Sequence, residues 1–156
     1  MKLHELLTED VILSDLKYQD RENVLKEMVG FLKKKNKIKN DKELYEKLIQ
    51  RENLGSTAIG EGVAIPHCKI RGIKGSEVIL AISRKGVDFY SLDKKPTHIL
   101  FLVISSPDNL SLNLQILATI AHLVRKSKDL VKKILAADDV KQILDVVRIE
   151  EEKLNG

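Results

Sequence analysis

The sequence predicts a single α/β domain with a central mixed β-sheet and helices on both faces. Three observations carry this reading. Helical and strand periodicities mix along the whole chain, with no repeat, low-complexity tract or linker between them. Thr97–Ile104 is apolar on both faces, so as a strand it needs cover from two sides. The length of 156 residues, 43% hydrophobic and 32% charged, suits one globular domain. We expect that domain over 3–148, with 149–156 as a frayed tail.

In chain order, Asp20 is placed to cap a helix beginning near Arg21. Val24, Leu25, Met28, Val29 and Leu32 recur at helical spacing and form its inner face, and Lys33, Lys34, Lys35, Lys37 and Lys39 suit its negative C-terminal pole. Asn40 or Asp41 caps a second helix with Leu44, Leu48 and Ile49 inward, ending between Arg51 and Leu54. Gly62–Ile65 reads as a short strand stopped by Pro66, and Val78–Ile82 as a second buried strand. Gly86–Tyr90 is a turn with a short edge strand, and Thr97–Ile104 is the central strand. After the loop Ser105–Asp108, a long helix starts near Ser111 with Ile116, Leu117, Ile120, Leu123 and Val124 inward. Two shorter helices follow, near Lys128–Ala136 and Asp138–Val147.

Composition narrows the function. A net charge of +4 from 27 basic and 23 acidic residues is a small excess, and aromatics are only 4%, so no basic stacking surface for nucleic acid is indicated. The longest apolar run, Ile99–Ile104, is far short of the about 20 residues a membrane span needs. The acid-bearing start at Met1–Asp10 does not resemble a signal peptide. Cys68 is the only cysteine, which fits a reducing, cytoplasmic setting.

The densest chemical signal is Arg51–His67, where His67 directly follows the strand and Pro66, and Arg51 lies sixteen residues upstream. Three roles are open to His67: a surface histidine, a metal ligand or a nucleophile. The metal role lacks partners, because the adjacent His67 and Cys68 have no CxxC or HxxxH companion. As a nucleophile, a neutral imidazole has a lone pair whose position is fixed when the other ring nitrogen donates a hydrogen bond. Gly60 and Gly62 permit close approach of another surface. The hydroxyls of Ser56 and Thr57, with loop N–H groups, are suited to cradle an anion, and Arg51 to pair with a phosphoryl group.

The run Gly55-Ser56-Thr57-Ala58-Ile59-Gly60-Glu61-Gly62-Val63-Ala64-Ile65-Pro66-His67 resembles the signature of the type-2 enzyme IIA family (fructose, mannitol and nitrogen-regulatory branches) of the bacterial phosphoenolpyruvate:sugar phosphotransferase system. The resemblance extends from about Leu3 to Val147 and includes Lys95–Phe101 and the Leu114-x-x-Leu117-Ala118 helix. It implies that His67 accepts a phosphoryl group at Nε2 from the histidine phosphocarrier protein. The group then passes to a cysteine of an enzyme IIB partner, or stays as a regulatory mark. Arg51 matches the family's active-site arginine. Neither the residues nor the resemblance calls for a metal or another cofactor. With no second cysteine for a fused IIB domain and no membrane span, the chain is expected to act on separate partners.

One position departs from the family, whose second histidine falls here at Asn113. An amide there can donate a hydrogen bond near the helix N-terminus but cannot titrate. His122 is nine residues further on, about 180° around the helix and roughly 13 Å along it, so it does not substitute. His98 at the start of the central strand and Glu61 in the loop are weaker candidates for the site, Cys68 is a poor nucleophile candidate, and His4 has no supporting context.

Overall fold

The computed structural model describes residues 1–155. The elements run α1 (Leu3–Leu6), a 3₁₀ turn (Glu9–Val11), β1 (Ile12–Leu13), α2 (Arg21–Lys34), α3 (Asp41–Asn53), β2 (Ala58–Gly60), β3 (Val63–Ala64), β4 (His67–Lys69), β5 (Ser76–Val87), β6 (Thr97–Ser105), α4 (Leu110–Lys126), α5 (Leu130–Ala136) and α6 (Val140–Asn155). The six strands form one mixed sheet in the order β1-β5-β6-β3-β2, with β4 following β3 alongside β6. β5 and β6 are antiparallel, whereas β3 and β4 run parallel to β6.

The predicted central strand is β6. Residues of both parities are buried from Ile99 to Ser105, so both faces of the sheet are covered, as the apolar pattern requires. The helices supply that cover in two groups. α2 packs on α3 and reaches the sheet at β5, with α3 on β4. α1, α4, α5 and α6 pack together, with α4 on β6. The predicted caps form: Asp20 accepts from the Asn23 N–H at 3.1 Å, and Asn40 from the Glu43 N–H at 3.0 Å. Asn109 caps α4 by accepting from the Leu112 N–H.

Several expectations change. Pro66 does not end the strand run, because the Val103 N–H donates to the Pro66 carbonyl at 3.0 Å and the chain re-pairs with β6 as β4, starting at His67. β5 runs well beyond Val78–Ile82 and takes in Gly86 and Val87 past an irregularity in its pairing with β6. α1, β1 and β2 have no counterpart in the sequence reading. Residues 149–155 of the expected frayed tail are instead the last two turns of α6, and Gly156 lies outside the described residues. Glu151, 4% exposed, accepts from the Leu3 and His4 N–H groups at 2.6 and 2.9 Å, satisfying unpaired donors of α1. Its neighbour Glu150 accepts from Ser127 Oγ, Lys133 Nζ and Lys153 Nζ. Among the described residues, no helix is long and apolar enough to cross a membrane.

Candidate active site

His67 opens β4, half-buried, with its Cα in register with Val103 of β6. The backbone before it is stiff. Pro66 fixes its own φ, and the Ile65 N–H donates to the Thr57 carbonyl at 3.0 Å. Against this backbone the ring has one orientation: His67 Nδ1 lies 2.7 Å from the Ile65 carbonyl oxygen. A carbonyl only accepts, so Nδ1 carries a proton, and in the neutral ring Nε2 carries the free lone pair.

Strand alternation then sorts the neighbours. Burial pushes the Cys68 thiol up to about 12, with Lys47 and Glu43 of α3 as its nearby charges, so Cys68 faces α3 and is no nucleophile. His67 points to the opposite face, which it shares with Val103 and Ser105 of β6. On that face Ser105, fully buried, donates from Oγ to Asn113 Oδ1 at 2.6 Å, and Ser76 Oγ donates to Ser105 Oγ at 3.0 Å. This chain fixes the Asn113 amide, leaving its NH₂ group as the free donor. From strand spacing, the Cα atoms of His67 and Ser105 are roughly 8 Å apart, so Asn113 belongs to the His67 neighbourhood.

Arg51 lies in the last turn of α3, the helix packed on β4. Its Nη1 donates to the Gly55 carbonyl at 2.9 Å, which anchors the guanidinium on the glycine-rich loop. Among the described residues, no carboxylate is ion-paired with Arg51 and no hydrogen bond joins it to His67.

The expected anion cradle of Ser56 and Thr57 hydroxyls is not available. Ser56 Oγ donates to the Phe89 carbonyl and accepts from the Ala58 N–H. Thr57 gives both its N–H and its hydroxyl to the Glu52 carboxylate, at 2.9 and 2.6 Å. These groups build the loop instead. Glu52, only 2% exposed, is the residue that sequence reasoning missed, because next to Arg51 it reads as an ordinary helix-surface charge.

His98 and Glu61 also fall outside the site. His98 is five residues before Val103 on β6, about 16 Å along the strand, and its Nδ1 donates to the Ser83 carbonyl at 2.8 Å. Glu61 sits in the β2–β3 turn, whose Gly62 carbonyl accepts from the His98 and Ile99 N–H groups at that same distant end. His122 is exposed on α4 near Met1 and Asn155, and His4 Nδ1 is 2.6 Å from Glu151 Oε1. Among the described residues, no group of three or more His, Cys, Asp or Glu is placed to hold a metal ion.

Fold and site together define an α/β domain with a half-buried imidazole held in one tautomer at the start of a sheet strand. The chain belongs to the family described as "Phosphoenolpyruvate-dependent sugar phosphotransferase system, EIIA 2", which matches residues 5–149. It is 34% identical over 94% of its length to the fructose-specific EIIABC component of Bacillus subtilis, of which it spans only 23%. It is 32% identical to a nitrogen regulatory protein of Bradyrhizobium diazoefficiens, over 96% of both chains. The fold is shared with the nitrogen regulatory protein IIA-Ntr of Neisseria meningitidis (TM-score 0.84, 23% identity, covering 93% of this chain and 98% of that one). It is shared also with Escherichia coli IIA mannitol in complex with phosphorylated IIB mannitol (TM-score 0.73, 16% identity, covering 91% and 96%).

Proposed function

We propose that the chain is a phosphocarrier whose His67 Nε2 accepts a phosphoryl group from the histidine phosphocarrier protein and passes it to an enzyme IIB cysteine. The observation that carries this is the 2.7 Å contact from His67 Nδ1 to the Ile65 carbonyl, which leaves Nε2 as the only ring nitrogen with a lone pair. In the forward step the Nε2 lone pair forms a new N–P bond as the donor histidine's N–P bond breaks, and the bonding pair returns to the donor ring. The Nδ1 proton stays in place, and the Ile65 carbonyl stabilises the positive charge that the ring acquires. Phosphoryl transfer through a loose transition state depends mainly on alignment and charge stabilisation. Arg51, free of any carboxylate and held on the glycine-rich loop that leads to His67, is the candidate charge for the phosphoryl oxygens, and the Asn113 NH₂ group is the candidate neutral donor.

A second reading is regulatory: phosphorylation of His67 controls contacts with protein targets rather than sugar uptake. The match over 96% of both chains to a nitrogen regulatory protein supports it.

Incubation with labelled phosphoenolpyruvate, enzyme I and the histidine phosphocarrier protein tests both. An acid-labile, alkali-stable label that vanishes in His67→Ala is expected, and no label on the native chain overturns the proposal. Movement of the label to added IIB proteins supports the carrier; a label that stays while partner binding changes supports the regulator.

A further inference from the structure

At the end of the sheet remote from His67, the β5–β6 connection and the residues before α2 enclose an open cavity of about 570 Å³. Lys85, Lys94 and Lys95 all line it, against one carboxylate, Asp88. Among the described residues none of the three lysines is in a salt bridge, and the carboxylates of Asp88 and of nearby Asp93 offset only part of their combined charge. Asp88 is already engaged, with its Oδ1 accepting from the Tyr90 N–H at 3.2 Å. Asp93, beside Lys95 in sequence, spends its carboxylate on Ser91 Oγ, the Lys95 N–H and the Glu61 N–H.

The wall is built rather than loose. Phe89 is fully buried between Asp88 and Tyr90, and its carbonyl is held by Ser56 Oγ. The Asp88 N–H donates to the Gln19 carbonyl at 3.0 Å, and the Gly86 N–H to Ser83 Oγ at 2.9 Å. Two wall residues, Tyr90 (φ 57°) and Lys94 (φ 60°), occupy the left-handed region without being glycine. Such backbone costs about 1 kcal/mol or more and persists where surrounding bonds impose it, often beside ligands. The Arg21 guanidinium stacks on the Tyr90 ring at 4.2 Å and holds that side of the rim.

We infer that this cavity is a binding site for a compact small-molecule anion carrying at least two negative charges, of phosphate or carboxylate type. Its volume falls within the about 300–1,000 Å³ of small-ligand sites. Val87, Tyr90 and Pro96 give it an apolar part, and the three lysines make its polar part net positive. The backbone that carries the three exposed lysines is fixed in advance, so binding has only their side chains to order.

The sequence holds a control, since Lys33, Lys34, Lys35, Lys37 and Lys39 form an equally basic cluster that lines no such lysine cavity. Backbone-amide NMR is followed while pyrophosphate, and separately citrate, is titrated into the full chain at about 0.15 M salt, where exposed charges are screened. Saturable shifts concentrated on 85–96 are expected with at least one probe. Saturation by pyrophosphate alone identifies a phosphorylated ligand, by citrate alone a polycarboxylate, and by both a general polyanion site. Affinity should fall about tenfold or more in the K85Q/K95Q double variant, which removes two charge-assisted contacts, and stay unchanged in K33Q/K35Q. The same spectra report that each variant is folded. Absence of saturation with both probes, shifts equally strong at Lys33–Lys39, or undiminished affinity in K85Q/K95Q overturns the inference.

Discussion

The Ser105 hydroxyl donates to Asn113 Oδ1 at 2.6 Å, and both side chains are buried. A β6 residue one strand from His67 thus fixes the amide of Asn113 on α4. That bond uses the acceptor oxygen of Asn113 and leaves its NH₂ donors, and the amide has no group that titrates.

The first prediction concerns this pair. Asn113→His replaces a neutral amide with a group that can titrate, and it should change the rate of phosphoryl transfer to or from His67 in at least one direction. Ser105→Ala removes the anchor, should cost about 1–3 kcal/mol in stability, and should slow phosphorylation beyond what the lost stability explains. Rate–pH profiles and urea unfolding of the three proteins check this. Identical profiles and rates in both directions for the native chain and Asn113→His would refute the role assigned to Asn113.

Glu52 should matter to stability more than its place on a helix end suggests. Its buried carboxylate takes two donors from Thr57. Glu52→Ala leaves a buried N–H and hydroxyl without partners and should lower stability by about 2–4 kcal/mol. Glu52→Gln keeps an acceptor and should cost about half as much. Denaturant midpoints separate the two.

Gly86 has φ +95°, and a Cβ there would lie 2.8 Å from Pro96 Cβ and 3.2 Å from His98 Cε1. Gly86→Ala should therefore destabilise by about 2–4 kcal/mol through backbone strain and overpacking. Thermal unfolding reads the loss, and an unchanged midpoint would contradict the geometry.

The Ser127 hydroxyl first, then Lys153 and Lys133, hold the Glu150 carboxyl down at about 2 against the opposing effect of burial. The folded value lies below the ordinary 4.5, so this stabilisation is complete above that pH and is lost as pH falls from 4.5 toward 2. Glu150→Gln should be less stable than the native chain by about 1–2 kcal/mol at pH 7, allowing for the exposed lysines, and the gap should close over that window. Urea midpoints measured from pH 6 to the acid limit check the sign.

Much of the fold is legible where the signal is local. Asp20 and Asn40 announce their helices by capping, and β6 is unmistakable because its apolar run has no polar face. What was hidden depends on distant partners. β1 is two residues long and exists because Ile12 and Leu13 pair with Leu80 and Ala81 of β5. β4 lies behind Pro66, and only pairing with Val103–Ser105 makes it a strand. Glu150 and Glu151 fall in the tail expected to fray, yet their partners are residues near the N-terminus, around α5 and later in α6. At the site, the motif led to His67, whereas the hydroxyls of Ser56 and Thr57 are spent on Phe89 and Glu52, contacts that no spacing rule reveals. Ser105 looked like the start of a loop and is the last residue of β6.

In the proposed mechanism the Ile65 carbonyl holds the Nδ1 proton of His67 and so reserves Nε2 for phosphorus. Nitrogen-15 NMR of the chain labelled at histidine and phosphorylated through the histidine phosphocarrier protein tests it most directly. A phosphorus-coupled Nε2 of His67 and an Nδ1 that keeps its proton are expected. A phosphoryl group on His67 Nδ1, or on any other residue, would contradict it.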